Sequence, residues 1–211
     1  MEIKSEKNIY KSMTAYLFNW LIFPIKMIIP QPIVKKISFL TTNEDIRIGI
    51  IKINTTGKLL DIGCGTNRLS MEYRSQGKDA VGVDVYDWGN VDLVVKDTSS
   101  LPYDDASFDT ISFVACLNHI PNRADVLTEA RRLLSPNGRI LITNLTPFIS
   151  RIWHAYAYWD ADQHERGMSE GEVFGFTSKE LINLLEENGL TIVARKKFSW
   201  DLNELFICQK I

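Results

Sequence analysis

The chain predicts an α/β fold built on a doubly wound, mostly parallel sheet. Three observations carry it. Short apolar runs recur along the 211 residues and several end in an acid, a paired-glycine turn follows the first of them, and helical-period segments separate later ones.

Leu59, Leu60 and Ile62 supply the first buried strand, with Asp61 between them. Gly63 and Gly65 then let the backbone turn sharply and approach a ligand where a Cβ would collide. A dinucleotide dehydrogenase needs a third glycine three places after the second, and here that place holds Arg68. Hydride transfer is therefore disfavoured. Asp79–Asp84 forms a second strand ending in a carboxylate, placed where a ribose hydroxyl pair is usually gripped. Asp92–Asp97 gives a third strand with an acid at its tip, and Thr110–Val114 a fourth. Ala115–Ile120 falls at the carboxyl end of that strand, the rim where open α/β sheets bind ligands.

Val126, Leu127, Ala130, Leu133 and Leu134 share one face of a helix over Arg123–Leu134, which Ser135-Pro136-Asn137-Gly138 stops before a fifth strand over Arg139–Asn144. Thr177 with Glu180 makes a capping box for a last helix, ended by Asn188-Gly189. Leu190–Phe198 and Glu204–Gln209 read as two final strands, making seven.

From Lys58 to Asn144 these motifs resemble, in order, the class I S-adenosylmethionine-dependent methyltransferases, in particular their small-molecule type 11 branch. Asp61, Gly63 and Gly65 match the acidic-x-Gly-x-Gly-x-Gly loop, with Asn67 where the third glycine usually falls. Asn tolerates the left-handed backbone that such a turn needs. Leu101–Asp109 resembles the "LPF-x-D-x-x-FD" stretch, with Tyr103 for Phe. The resemblance implies a Rossmann-like seven-stranded sheet with an antiparallel last strand and an N-terminal helical lid. It also implies S-adenosylmethionine as cofactor, contacted at Asp61, Gly63, Cys64, Gly65, Asp84, Val85, Asp97, Thr98, Cys116 and Leu117. In it Asp84 holds the ribose, Asp97 the adenine amino group, and the main chain around Cys116 and Leu117 the methionine moiety.

Composition narrows the partners. A formal charge of −2 with both signs interspersed gives no basic field for a nucleic acid. Cys64, Cys116 and Cys208 are odd in number and have no metal spacing, which fits a reducing cytoplasm and small apolar fillers.

Residues 1–56 form an N-terminal helical segment ahead of a methyltransferase domain over 57–211. The apolar leader Tyr16–Pro30 is interrupted by Asn19, Pro24, Lys26 and Pro30, against the roughly 20 unbroken residues of a transmembrane helix. It reads first as a lid over the cofactor. The other reading is peripheral membrane contact through residues 16–36, where Lys26, Lys35 and Lys36 accompany Phe18, Trp20 and Phe23.

Residues 146–176 form a substrate-facing insertion rich in aromatics and charges. Trp153, His154, Tyr158, Trp159 and His164 are its candidate acceptor contacts, and Trp153 and Tyr156 suit equally the core face of a helix over Ile149–Trp159. The histidines and carboxylates there have no recognised ligand spacing, so no metal is expected. His119, at the tip of the fourth strand, is the candidate general base, with a structural hydrogen-bonding role as its alternative. The leading functional reading is methyl transfer from S-adenosylmethionine to a small-molecule acceptor such as a saccharide or lipid-linked intermediate. The alternative is a non-catalytic S-adenosylmethionine-binding regulatory or scaffold module.

Overall fold

The computed structural model describes residues 3–148, 150–151 and 170–211. Seven strands form one sheet: β1 (Leu59–Ile62), β2 (Ala80–Asp84), β3 (Leu93–Val94), β4 (Phe108–Val114), β5 (Leu134–Leu145), β6 (Leu190–Phe198) and β7 (Asn203–Lys210). Their order is β3-β2-β1-β4-β5-β7-β6. The pairs from β3 through β5 are parallel, and β7 alone runs against its neighbours β5 and β6. The order reverses between β1 and β4, which opens a crevice at their carboxyl ends.

Alternation along each strand divides the core. Leu60, Ile62, Ile140, Ile142 and Phe206 point to the face covered by α6 (Arg123–Leu133) and α7 (Ser178–Glu187), whereas Leu59, Leu141, Leu205 and Ile207 point to the other. That second face packs α4 (Asn43–Asn54) through Ile46, Ile50 and Ile51, and α5 (Arg68–Arg74) through Leu69 and Tyr73. Each such fully buried side chain contributes about 1.5–3 kcal/mol.

Before α4 the leader folds as a 3-10 turn over Glu6–Ile9 and three short helices, α1 (Met13–Leu21), α2 (Phe23–Ile28) and α3 (Gln31–Lys35). Pro24 and Pro32 stand in the first turns of α2 and α3, where a missing N–H costs nothing. Among the described residues no helix is long and apolar enough to cross a membrane. Two leader residues differ from the interfacial expectation. Phe23 is buried in the core, and Lys26 turns inward, its Nζ donating to Asn19 Oδ1 (3.0 Å) and Thr41 O (2.9 Å).

Two boundaries also differ. The β3 ladder covers Leu93 and Val94 alone, flanked by main-chain bonds from the Asp92 amide to Gly82 O at 3.1 Å and from the Val95 amide to Asp84 O at 3.0 Å. Helix α6 ends at Leu133, and Ser135–Gly138 loops out as an irregularity inside β5, between the paired residues Leu134 and Arg139.

Candidate active site

Chain geometry at the end of β1 follows from its glycines. The Gly63 and Cys64 amides both donate to Val83 O, at 2.8 and 3.2 Å, which folds the loop onto β2. Gly63 has φ +70°, and a Cβ there would lie 2.8 Å from the Cβ and Sγ of Cys116. Gly65 has φ +54° with no atom within 4 Å of the Cβ position, so its missing side chain leaves open space. The Cys116 thiol donates to Ile62 O at 3.0 Å, and burial pushes the pKa values of both Cys64 and Cys116 upward. These are neutral packing groups rather than nucleophiles.

Asp84 closes the loop from below. Its Oδ2 accepts from the Gly65 amide at 2.8 Å and its Oδ1 from the Tyr86 amide at 3.1 Å. Each carboxylate oxygen has a second lone pair, so acceptor capacity remains for a ligand. Asp61 lies deeper, 1% exposed, and accepts from Ser112 Oγ at 2.6 Å. Burial raises its pKa to about 7 against the lowering effect of that hydroxyl, and the Asp84 charge adds to the rise.

A cleft of about 440 Å³ follows, lined by Gly63, Gly65, Asp84, Val85, Thr98, Cys116 and His119 with Tyr86 and Trp88. Beside it a recess of about 180 Å³ shares Gly63, Gly65 and Thr66 and reaches Asp61 and Cys64. The larger volume falls within the roughly 300–1,000 Å³ of small-molecule sites. Glu44 and Arg47 of α4 line both.

On one rim, His119 Nδ1 lies 2.9 Å from Glu172 Oε2. Arg123 fixes that rim by donating to the carbonyls of Leu117, Asn118 and Gly171. Val173 and Asn118 add a reciprocal pair of hydrogen bonds, at 3.0 and 3.2 Å, that deliver Glu172 to the histidine.

Eight of the ten cofactor positions inferred from sequence thus line one contiguous crevice. Two do not. Leu117 is buried in the core, and the Asp97 carboxylate is held by Asn122 Nδ2 (3.1 and 3.0 Å) and the Ser99 amide outside the lining. Trp153, His154, Tyr158, Trp159 and His164 lie outside the described residues, as does the core-face reading of Tyr156. Sequence reasoning passed over Glu44, Arg47, Tyr86, Trp88 and Glu172. Tyr86 and Trp88 follow an acid-ended strand and were within reach of that signal, whereas Glu172 meets His119 only through the fold.

Residues 38–195 match a family model described as "Methyltransferase domain". The chain belongs to this family. Among relatives of the methyltransferase, the ubiquinone/menaquinone biosynthesis C-methyltransferase of Geobacter sp. (strain M21) is 27% identical over 128 residues, 50% of this chain and 54% of that protein. The 27-O-demethylrifamycin SV methyltransferase of Amycolatopsis mediterranei is 31% identical over 110 residues, 44% of this chain and 40% of its own. The chain therefore matches about half the length of these relatives or less. A solved structure of the 1,6-didemethyltoxoflavin-N1-methyltransferase of Burkholderia thailandensis, with bound 1,6-didemethyltoxoflavin and S-adenosylhomocysteine, superposes with a TM-score of 0.56 at 20% identity, covering 78% of this chain and 76% of that one. An S-adenosylmethionine-dependent methyltransferase from Thermotoga maritima gives 0.57 at 15% identity over 97% and 100% of the two chains. Both share the fold of this methyltransferase.

S-adenosylmethionine is the cofactor of the family, and the crevice suits it. The open space at Gly65 admits close approach to the main chain, Asp84 offers a paired acceptor, and the aromatic Tyr86 and Trp88, 4.6 Å apart, stand on the lining.

Proposed function

We propose that this methyltransferase moves a methyl group from S-adenosylmethionine to a small-molecule acceptor, a saccharide or lipid-linked intermediate, in the crevice between Gly65 and His119. The observation that supports it most is the meeting of the glycine loop, the Asp84 carboxylate and the His119–Glu172 pair on one cleft.

When bound, the cofactor supplies an electrophilic sulfonium methyl. Asp84 would hold its ribose, Gly63 and Gly65 would give it room, Val85, Thr98 and Cys116 would flank it, and Asp61 would shape the recess behind the loop. The residues of the crevice would align an acceptor with that methyl, and orientation alone can supply several kcal/mol of the rate enhancement. For a hydroxyl acceptor the leaving proton goes to His119 Nε2, and Glu172, facing Nδ1, balances the imidazolium charge. The aromatic composition of the insertion, with Trp153, His154, Tyr158, Trp159 and His164, supports an acceptor-facing role.

We infer a cytoplasmic enzyme in peripheral contact with a membrane. Cys64, Cys116 and Cys208, all unpaired, support the reducing compartment, and the apolar side chains that the leader exposes support the contact.

Calorimetric titration with S-adenosylhomocysteine beside NADH tests the cofactor, and transfer of labelled methyl to saccharide and lipid-linked acceptors tests the reaction. Binding of the former alone followed by transfer is the expected result. Tight cofactor binding without transfer to any acceptor would favour a non-catalytic module instead.

A further inference from the structure

The leader is inverted relative to a helix that serves only a protein core. Across α1 and α2 the inward positions include Asn19 and Lys26, 2% and 3% exposed. The outward ones are apolar: Met13, Leu17, Leu21, Ile25 and Ile28 follow one another at helical spacing and are 54 to 81% exposed. The stripe runs on across the junction at Ile22, since the Lys26 amide still donates to Ile22 O at 3.0 Å. An apolar face of this extent on a folded chain marks an interaction surface.

A second element leans on the same surface. In the turn between β6 and β7, Ser199, Trp200 and Asp201 all have positive φ (51°, 59° and 61°), an unfavourable run for residues with side chains. The turn is held there because Trp200 Nε1 donates to Trp20 O at 2.8 Å, with the two rings 5.1 Å apart, and the Ser199 amide donates to Glu6 Oε2 at 2.8 Å. Between turn and leader lies a groove of about 600 Å³ lined by Lys7, Lys196 and Lys197 together with Trp20 and Trp200. Glu6, which accepts from the Ser199 amide, and Asp201, 3.9 Å from Lys197, also line it, which leaves the three lysines one positive charge in excess.

Charge selects the occupant. Residues 1–42 carry six lysines and two glutamates, net +4, in a chain of net −2, so the remainder carries −6. A second copy docked through this face would set two cationic segments against each other, whereas an anionic bilayer offers the opposite charge. The lining of the cofactor cleft includes none of residues 16–36 among the described residues, so the stripe has no contact with that crevice to account for it.

We propose that this face docks on an anionic phospholipid bilayer, with Leu17, Leu21 and Ile25 entering the acyl boundary while Lys7, Lys196 and Lys197 meet headgroup phosphates. Trp20 and Trp200 take the interfacial level that indole rings favour. The inference gives the peripheral contact proposed above its face and its partner, and it rests on that reading.

Flotation of the full chain with phosphatidylcholine vesicles, with and without phosphatidylglycerol, tests it. The chain is expected to float with the anionic vesicles and to be released by salt. Lys196→Ala and Lys197→Ala should weaken partition roughly fivefold per lysine removed. The combined Leu17→Ser, Leu21→Ser and Ile25→Ser variant should not float yet keep its affinity for S-adenosylhomocysteine, because these side chains are exposed. Failure of the intact chain to float, or equal flotation by the triple variant, overturns the proposal. So does a dimer in sedimentation velocity that the triple variant dissolves, since the face would then serve self-association. The cofactor titration is read separately, so a failure here leaves the methyl-transfer reading standing.

Discussion

Asn67 Nδ2 donates to Asp92 Oδ2 at 2.9 Å, from a backbone held in the left-handed region at φ 61°. The residue that departs from the glycine pattern therefore keeps the glycine conformation and adds a brace between loop and β3. The same side chain also donates to Asn90 O at 2.8 Å and is fully buried. Its Oδ1 fills the space beside Gly82, where a Cβ would come within 1.9 Å of it. Asn67→Gly should retain the turn but cost about 1–3 kcal/mol in denaturant unfolding through the lost hydrogen bonds. Gly82→Ala should be severely destabilising alone and partly rescued by Asn67→Gly, a coupling that a double-mutant cycle measures.

Asp84 carries the clearest prediction for the cofactor. Asp84→Ala removes the acceptor of the Gly65 and Tyr86 amides as well as the proposed ribose contact. Affinity for S-adenosylhomocysteine should fall by about ten- to a hundredfold, equivalent to 1.5–3 kcal/mol for hydrogen bonds to a charged group. Unchanged affinity in calorimetry would remove Asp84 from the site.

Glu172→Gln separates a base from a structural histidine. If His119 takes the acceptor proton, loss of the facing carboxylate should lower kcat while leaving cofactor affinity unaltered. A kcat identical to that of the parent enzyme would assign the pair to holding the rim.

The pH dependence of stability should report Asp61. Its folded pKa of about 7 lies above the ordinary value of 3.8, so between those limits the folded state holds the extra proton. Its contribution is therefore fullest below about pH 4 and is lost as pH rises towards 7. Asp61→Asn keeps an acceptor for Ser112 and should flatten that slope, becoming more stable than the parent by on the order of a few kcal/mol at neutral pH. Urea unfolding of both chains across this range checks it, and parallel slopes would count against the assignment.

Lys26 runs the opposite way. Burial lowers its pKa to about 8, opposed by the charges of Glu6 and Asp45, so the folded chain sheds a proton that the unfolded chain keeps up to 10.5. The cost of the buried charge is present below pH 8 and is relieved as pH rises between those values. Lys26→Met removes that charge together with the donor to Asn19 and Thr41, so in calorimetric scans the parent should gain on the variant as pH rises from about 8 towards 10.5.

Much of this was legible in the residues. Strands β1, β2 and β4 announce themselves as apolar runs with turn chemistry behind them, and the Thr177–Glu180 capping box fixes the start of α7 because its signals are local. What stayed hidden depends on distant partners. Asp97 ends a predicted strand just as Asp84 does, but only the fold brings Asn122 onto its carboxylate. Arg68 reads as a broken fingerprint, and its purpose emerges only when Asp45 of α4, at 2.6 Å, ties it to α4 while Glu72, at 2.8 Å, steadies it from within α5. Lys26 looks interfacial by composition, yet Asn19 and Thr41 wait for it inside. Glu172 lies 53 residues from His119, beyond any spacing rule.

The bond from the Ser199 amide to Glu6 joins positions 193 residues apart. During synthesis, which proceeds at about 5–20 residues per second, the leader leaves the ribosome well before its partner turn. For most of that interval Phe23 lacks β7 and Glu6 lacks its donor, so the segment that faces outward when folded is doubly uncovered while nascent. A chaperone that holds the leader early would thus act as a folding partner, and the closing of the β6–β7 turn would be the event that completes the outward face of the finished enzyme.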